Sequence, residues 1–339
     1  DVNTGDIILL DDGLFEFKVI SKTETEVLCQ VIVGGVLKSN KGLNLPNVFL
    51  STPALTEKDI EDLKFSLHQD VDFIALSFVR NKSDLDKVYE IYQTENKELP
   101  LIAKIEMPEA VKNIDSIIEN CYGIMVARGD LGVEVNVEHV PVIQKELIRK
   151  CNEVGKPVIV ATQMLDSMIR NPRPTRAETT DVANAVLDGA DAVMLSGETA
   201  SGRYPILAVQ TMHNIIQSVE NKFVTAHYKK SHLYQPIHSV SQAICLSAIT
   251  TAKHLNAKMI VCITHSGQTI KHMARYRPYI PVFAITDDPA VPKRLSLTWG
   301  VNSILLDKIE RTEDCFKIIE EQIESSGDLQ DGDLVVLTA

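Results

Sequence analysis

Strict alternation of apolar runs and amphipathic helical segments across residues 51–220 is the feature that most limits how this chain can fold. The apolar runs contain almost no polar residues, which is typical of parallel strands covered on both faces. The predicted fold is therefore α/β, a (β/α)8 barrel of the TIM type with five units visible. The five predicted strands are residues 72–78, 101–106, 123–127, 157–162 and 192–196.

The helical periodicity between these strands predicts one helix after each strand and one before the first. The first of them begins with Thr56 as a cap and has Asp59 three residues later, the pattern of a capping box. The predicted helices are residues 56–69, 83–96, 109–119, 140–154, 179–187 and 205–220.

The flanking segments have other patterns, so we predict three domains. Residues 1–47 contain short alternating runs with Asp-Gly and Gly-Gly turns, which predicts a partial β domain inserted in the barrel. Residues 48–220 form the partial barrel, and three of its units are expected to be missing because a full barrel needs about 250 residues. Residues 221–339 predict a C-terminal open α/β domain with four strands and a helix at 313–325.

Composition excludes several classes of partner. A formal net charge of −12 argues against a nucleic acid or an acidic membrane surface. No apolar stretch approaches the length of a membrane span. The six cysteines form no CxxC pair and indicate ordinary thiols of a reducing, cytoplasmic compartment.

Charged residues end two of the predicted strands. Lys104 and Glu106 point the same way in an extended segment, and Asp130 follows the next strand. Because barrel strands deliver such side chains to one face, these three favour a magnesium site beside a phosphoryl group. A buried Lys–Glu ion pair that closes a strand explains the same residues.

Hydroxyl side chains end two further strands, Thr162 and Ser196, and in a barrel they share that face. A hydroxyl at a strand end also serves as a helix cap. A third group, Thr264, His265, Ser266, Gly267, Gln268 and Thr269, forms a strand–loop–helix junction suited to an anion. A common capping turn gives the same sequence.

Long ordered motifs in the chain closely resemble those of pyruvate kinase, and the likeness extends from near Gly5 to Ala339. The family also has a β domain inserted in a (β/α)8 barrel and a C-terminal α/β domain, which is the order predicted above. The motifs are residues 103–106 (AKIE), 125–132 (MVARGDLG), 161–168, 172–178 and 188–200, together with 44–46 and 275–278.

The resemblance implies transfer of the phosphoryl group of phosphoenolpyruvate to ADP, giving pyruvate and ATP at the end of glycolysis. It implies that Glu106 and Asp130 hold Mg²⁺ or Mn²⁺ and that Lys104 neutralises charge on the phosphoryl group. The main chain around Ala127, Arg128, Gly129 and Asp130 would bind substrate. By the same resemblance Thr162 and Ser196 would help to protonate the enolate carbon.

Further roles follow from the resemblance alone. Lys41 matches a lysine that binds nucleotide phosphate from a lid domain, and Asp12 is a weaker candidate there. The family forms homotetramers, and Arg176 is a candidate subunit contact, although a solvated arginine in the loop of residues 173–176 explains it equally well. Hydroxyl and amide groups of Thr264, Ser266, Gly267, Gln268 and Thr269 would hold an effector phosphate, with His265 standing where some members regulated by sugar bisphosphates carry lysine.

Parts of the family pattern are not in this sequence. The first three barrel strands of the family supply a phosphate-binding arginine, the ligands of K⁺ and part of the nucleotide site. We therefore expect the 339-residue polypeptide by itself to be inactive. Two alternatives are another Mg²⁺-dependent barrel enzyme, a lyase acting on a pyruvate enolate, and a non-catalytic module that binds an effector through residues 221–339.

Overall fold

The computed structural model describes residues 1–39, 41–46, 48, 53–224, 239–306 and 329–338. The chain divides into two compact units. The first comprises Asp1–Ile148, Val158–Glu178 and Met194–Ala208, and the second comprises Arg149–Pro157, Thr179–Val193 and Val209–Ala339. Within the described residues each of the three predicted domains contributes one sheet, while the boundaries at 47 and 220 stay predictions.

The N-terminal sheet, called the small sheet below, is antiparallel with the order β3-β2-β1-β4. Its strands are β1 Ile7–Leu10, β2 Phe15–Lys22, β3 Val27–Val33 and β4 Leu43–Asn44. Phe15 and Val19 lie on one face of β2, as their even spacing requires, and both are buried. The turn between β1 and β2 has positive φ at Asp11, Asp12 and Gly13 (54°, 55° and 82°).

The second sheet has five strands in chain order, as the alternating pattern predicts. They are β5 Ile74–Leu76, β6 Leu101–Ile105, β7 Gly123–Ala127, β8 Val158–Ala161 and β9 Ala192–Met194. The pairs β5–β6, β6–β7 and β7–β8 are parallel. Several strands are shorter than predicted because the polar residues at their carboxyl ends leave the ladder and enter the following loop. The parallel barrel-type architecture is confirmed.

Helices follow these strands at nearly the predicted places. The predicted capping box is present: Thr56 and Asp59 accept hydrogen bonds from each other's backbone N–H groups at the start of α1. The helices are α1 Glu57–Leu67, α2 Lys82–Glu95, α3 Pro108–Lys112, α4 Ile114–Glu119, α5 Arg128–Glu134, α6 Val140–Val154, α7 Arg176–Asp188, α8 Gly197–Ala200 and α9 Pro205–Val219.

Two helix predictions were wrong. The single helix predicted at 109–119 is two helices, because Asn113 takes a non-helical conformation and its side chain donates to Arg80 O at 3.0 Å. Helix α5 was not predicted at all. Its sequence begins Arg-Gly-Asp-Leu-Gly, and two glycines in five residues give no helical signal.

The third sheet is parallel, with the order β12-β11-β10-β13. Its strands are β10 Met259–Ile263, β11 Val282–Thr286, β12 Val301–Leu305 and β13 Val335–Thr338. Helices α10 Val240–Leu255, α11 Gln268–Ala274 and α12 Ala290–Leu295 accompany them. The open α/β sheet is confirmed, and the helix predicted at 313–325 lies outside the described residues. Among the helices described, none has both the length and the apolar character needed to cross a membrane.

Candidate active site at the carboxyl ends of the strands

Lys104 and Glu106 form the centre of the candidate site. Their side chains lie together at the end of β6, with Lys104 Nζ 2.7 Å from Glu106 Oε1. Lys104 also donates a hydrogen bond to Ser77 Oγ at 2.8 Å. The Glu106 side chain is 1% exposed and that of Lys104 is 25% exposed, so the carboxylate is buried and the lysine is partly exposed. This arrangement is the one that the alternation along the strand predicts.

The loop after β5 positions both groups, and the sequence analysis did not single it out. Besides the contact of Ser77 with Lys104, the backbone N–H of Phe78 donates to Glu106 Oε2 at 2.7 Å. Phe78 has a φ of 54°, which is uncommon for a bulky residue. The sequence does contain a signal for Ser77. It lies at the carboxyl end of a buried apolar run, as Lys104 does in its own strand.

Asp130 reaches the same region from a helix rather than from a strand tip. Strand β7 ends at Ala127, and Asp130 lies in the first turn of α5. Burial raises the pKa of Asp130, and the negative charge of Glu106 raises it further, whereas Lys104 lowers it. The two carboxylates therefore lie near enough to repel each other, and a bound cation would relieve that repulsion.

The donor set fits a divalent cation. Glu106 Oε1 is buried and makes no hydrogen bond, since its contact with Lys104 is an ion pair without hydrogen-bond geometry. Asp130 supplies a second oxygen donor of the kind that Mg²⁺ and Mn²⁺ prefer. No group of three or more His, Cys, Asp or Glu side chains in the described residues is arranged to hold a metal. A cation here would take its other ligands from substrate and water.

Thr162 follows β8 and faces the start of α5. Its Oγ1 accepts a hydrogen bond from Gly129 N at 2.7 Å and donates one to Ala161 O at 2.6 Å. The structure thus brings Thr162 beside the backbone that precedes Asp130. Gly129 N–H, which the resemblance gives to the substrate carboxylate, is bonded to Thr162 here.

Ser196 follows β9 as the residue before α8, but its side chain makes no capping hydrogen bond. The capping function expected of such a hydroxyl is therefore not observed. Glu198, 2% exposed, accepts hydrogen bonds from Ser196 N at 2.7 Å and from Leu165 N at 3.0 Å. This buried carboxylate connects the loops that carry Ser196 and Thr162.

The side chain of Arg128 turns toward the loop after β8. Its guanidinium donates to Ala161 O at 3.3 Å and to Thr162 O at 2.8 Å. Arg128 also donates to Gln144 Oε1 of α6 at 3.4 Å. The contacts described for the Arg128 guanidinium are therefore all with groups of the protein itself.

The small sheet contributes two candidate residues. Lys41 Nζ forms an ion pair with Asp11 Oδ1 at 2.7 Å, so the predicted nucleotide lysine lies beside the turn between β1 and β2. The charge of Asp12 in that turn contributes to raising the pKa of Asp130. Asp12 therefore lies near enough to Asp130 for their charges to interact.

The loop at 264–269 makes several of its own hydrogen bonds. Thr264 Oγ1 accepts from Gly267 N at 3.0 Å, and Ser266 Oγ accepts from Gln268 N at 3.4 Å. His265 is 85% exposed and contacts Asp287 Oδ1 through Nδ1 at 2.9 Å, which raises the pKa of the His265 imidazole. These bonds are those of a capping turn, and the phosphate role of the loop, including Thr269, stays a prediction.

Comparisons with known proteins bear on the whole chain. The family profile "Pyruvate kinase, barrel domain" matches residues 1–209, and "Pyruvate kinase, alpha/beta domain" matches residues 242–339. The crystal structure of a pyruvate kinase from Cryptosporidium parvum superposes with a TM-score of 0.92 at 39% sequence identity. That match covers 99% of this chain and 70% of the other.

Curated relatives give the same result. Proteins named pyruvate kinase from Geobacillus stearothermophilus and Bacillus licheniformis are 48% and 47% identical to the chain over its full length. The chain spans 58% of the length of each of these relatives, and 72% of one from Clostridium acetobutylicum at 45% identity. None of them supports the lyase alternative. The chain belongs to the pyruvate kinase family.

Proposed function

We propose that these residues form part of an enzyme that transfers the phosphoryl group of phosphoenolpyruvate to ADP, giving pyruvate and ATP. The single observation that carries the proposal is the contact of Lys104 with Glu106 beside Asp130. This arrangement groups one ammonium with two carboxylates, which together suit a trianionic substrate and a divalent cation. Family membership supports the same reaction.

Glu106 and Asp130 would hold the divalent cation, Mg²⁺ or Mn²⁺. Bound there, the cation would supply electrostatic stabilisation to the carboxylate and phosphate oxygens of the substrate. The protein contributes the orientation: Phe78 N–H fixes Glu106 Oε2 and leaves Oε1 directed to the site. Partial burial of Asp130 limits the access of water to its carboxylate.

Lys104 would stabilise negative charge on the phosphoryl group while it passes from enol oxygen to nucleotide. Ser77 Oγ, 2.8 Å from Nζ, accepts a hydrogen bond from the ammonium and helps to orient it. Transfer of a phosphoryl group depends mainly on positioning and on electrostatics, which is what one fixed cationic side chain provides.

The hydroxyl groups of Thr162 and Ser196 would assist delivery of a proton to the enolate carbon. Thr162 Oγ1 bonds Gly129 N, so it lies at the backbone that would also receive the substrate carboxylate, near Ala127, Arg128 and Asp130. Ser196 has a hydroxyl that its helix does not use for capping. A proton passing between them through water would reach the face of the enolate beside Thr162.

Lys41 would bind nucleotide phosphate from the small sheet. Its ion pair with Asp11 keeps the ammonium near the turn that carries Asp12, until a phosphate competes for it. A small sheet that closes over bound substrate would exclude water and so limit hydrolysis.

Other features of the proposal rest on the family. The proposal includes a homotetramer, dependence on K⁺ and control by a phosphorylated effector at residues 264–269. It also includes a cytoplasmic location. The five described cysteines are free thiols, which agrees with a reducing compartment. The effector role of the C-terminal sheet would accompany catalysis and not replace it.

The test is a coupled assay of pyruvate and ATP formation from phosphoenolpyruvate, ADP, Mg²⁺ and K⁺. It uses the 339-residue chain and, in parallel, any longer polypeptide of its source that contains it. Lys104→Met and Glu106→Gln should each lower kcat at least a hundredfold, because each removes one charge from the site. Lys82→Met, at an exposed ion pair with Asp86, is the matched control and should leave the rate unchanged.

Full phosphoryl transfer by Lys104→Met would contradict the assignment of Lys104, and a metal-independent reaction would contradict that of Glu106 and Asp130. Pyruvate released without ATP would exclude phosphoryl transfer to ADP.

A further inference from the structure

The loop after β8 holds an unfavourable backbone conformation at the candidate site. Thr162 and Gln163 both have positive φ, 73° and 55°. For a β-branched residue such as threonine this is a true outlier, and each such residue costs about 1–3 kcal/mol. Surrounding contacts must therefore hold the loop in place.

Arg128 makes those contacts. Its Nε donates to Ala161 O at 3.3 Å and its Nη2 to Thr162 O at 2.8 Å, so one planar group binds two successive carbonyl oxygens. Nη2 also contacts Met164 Sδ at 2.8 Å, on the far side of the turn. The rigid fork of a guanidinium suits this pair of acceptors, whereas an ammonium would bind one of them at a time.

The guanidinium is itself fixed from a second element. Gln144, 5% exposed on α6, accepts from Arg128 Nη1 at 3.4 Å. Arg128 is also the first residue of α5, whose next backbone N–H, that of Gly129, bonds Thr162 Oγ1 at 2.7 Å. The side chain and the backbone of α5 therefore hold the same threonine from two directions.

We propose that Arg128 is a positioning residue, which acts through the carbonyl groups of Ala161 and Thr162 to place the Thr162 hydroxyl and does not itself contact substrate. This inference rests on the proposed function, in which Thr162 assists proton transfer. The resemblance assigns substrate binding to the main chain around Arg128, and this inference adds a role for the Arg128 side chain. Loss of the guanidinium should slow the proton-transfer step and leave phosphoryl transfer by Lys104 largely intact.

The test separates the two chemical steps in the shortest polypeptide containing this chain that forms pyruvate. Exchange of the pyruvate methyl hydrogens with deuterated solvent, followed by NMR, reports proton transfer. Arg128→Lys keeps the charge but not the fork and should slow exchange at least tenfold, with the KM for ADP unchanged. Arg149→Lys, at an exposed pair with Glu153 on α6, is the matched control and should exchange at the wild-type rate.

The decisive comparison is made in a Thr162→Ala background. If Arg128 acts only through Thr162, adding Arg128→Lys to Thr162→Ala lowers the exchange rate no further. If the two substitutions lower the exchange rate independently, so that their effects multiply in the double variant, the proposal is wrong. It is also wrong if the only defect of Arg128→Lys is a higher KM for phosphoenolpyruvate. A fall in the melting temperature with unchanged exchange would assign Arg128 a purely structural role and would also overturn it.

A measurement without turnover keeps this inference separate from the proposed function. Amide hydrogen exchange of Gly129 in the 339-residue chain should be slow in wild type and markedly faster in Arg128→Lys, because the Thr162 acceptor moves away. Equal protection in both proteins would overturn the positioning role whatever the enzyme assay gives. Absence of pyruvate formation by every wild-type polypeptide would contradict the proposed function alone.

Discussion

Asn44, at the end of the small sheet, donates a hydrogen bond through Nδ2 to Glu134 Oε1 at 3.0 Å, and both side chains are buried. Glu134 is the last residue of α5, the helix that carries Gly129 and Asp130. The small sheet is thus attached to the helix that carries Asp130 of the candidate site. The backbone of Leu45 also donates a hydrogen bond to Glu134.

Replacing Asn44 by leucine should destabilise the first unit in a pH-dependent way. Burial raises the pKa of Glu134, and the hydrogen bond from Asn44 opposes that rise. Without Asn44 a buried carboxylate loses a partner, which costs about 1–3 kcal/mol near neutral pH. When folding raises the pKa of a carboxyl group, the group contributes its full stabilisation at pH values below its pKa in the unfolded state. This stabilisation is lost as the pH rises through its pKa in the folded state. Urea unfolding should therefore show a smaller penalty near pH 4 than near pH 7.5.

Glu134→Gln provides the control for this experiment. In that background the carboxylate is absent, so the penalty for Asn44→Leu should no longer change with pH. A penalty of equal size at both pH values in the wild-type background would contradict the role assigned to the Asn44–Glu134 pair.

Much of the candidate site was predictable because it follows from periodicity. Lys104 and Glu106 lie side by side because alternate residues of a strand share a face. Thr162 lies beside Gly129, close to Asp130 in the chain, because parallel strands end at one edge. The charges and hydroxyls interrupt otherwise apolar runs, so the sequence marks the positions where the strands end.

The rest depends on backbone groups and on unusual conformations, which have no signature in a single sequence. The N–H of Phe78 binds Glu106 from a loop in which Phe78 takes a positive φ. The resemblance assigned the main chain around Arg128 to substrate and gave no role to its guanidinium, which donates to carbonyl oxygens of the Thr162 loop. Helix α5 forms despite glycines that disfavour it, so tertiary contacts outweigh its local propensity.

Ser77→Ala should slow phosphoryl transfer without weakening nucleotide binding. The Lys104 ammonium would lose its acceptor at 2.8 Å, and a hydrogen bond to a charged group contributes about 1.5–3 kcal/mol. If that energy fixes the ammonium for the transition state, kcat falls roughly tenfold to a hundredfold. Steady-state kinetics would measure kcat and the KM for ADP, which should not change. Ser116→Ala, which removes an exposed hydrogen bond to Asn113 O on α4, is the control, and an equal effect in both variants would contradict the prediction.

Glu178→Gln should destabilise the first turn of α7 at neutral pH and have little effect in acid. Burial acts to raise the pKa of Glu178, but hydrogen bonds donated by Ser167 and Thr175 outweigh it and lower the pKa below its usual value of 4.5. When folding lowers the pKa of a carboxyl group, the group stabilises the folded state at pH values above its pKa in the unfolded state. This stabilisation is lost as the pH falls through its pKa in the folded state. Urea unfolding at pH 7 and at about pH 3.5 should show the difference from wild type narrowing in acid. If the difference in the free energy of unfolding between Glu178→Gln and wild type widens in acid, the folded state does not favour the ionised form of Glu178.

Arg277→Met should cause the largest loss of stability among these variants, and it acts in the second unit. Arg277 makes two hydrogen bonds to Asp191, both at 2.9 Å, and their side chains are 2% and 6% exposed. It also donates to Asn152 Oδ1 at 2.6 Å and to Gly189 O at 2.7 Å. Removing the guanidinium leaves a buried carboxylate without its main partner, for which about 3–5 kcal/mol is expected.

Fluorescence of Trp299 measures this loss directly. Trp299 is the only tryptophan of the sequence, and its ring centroid lies 5.4 Å from Arg277 Cζ. Its backbone N–H donates to Asp191 Oδ1 and its indole N–H to Glu220 Oε1, so the residue belongs to the same network. The double variant Arg277→Met/Asp191→Leu removes the stranded charge and should be more stable than Arg277→Met alone. If the double variant unfolds at a lower urea concentration than the single one, the buried charge is not the source of the penalty.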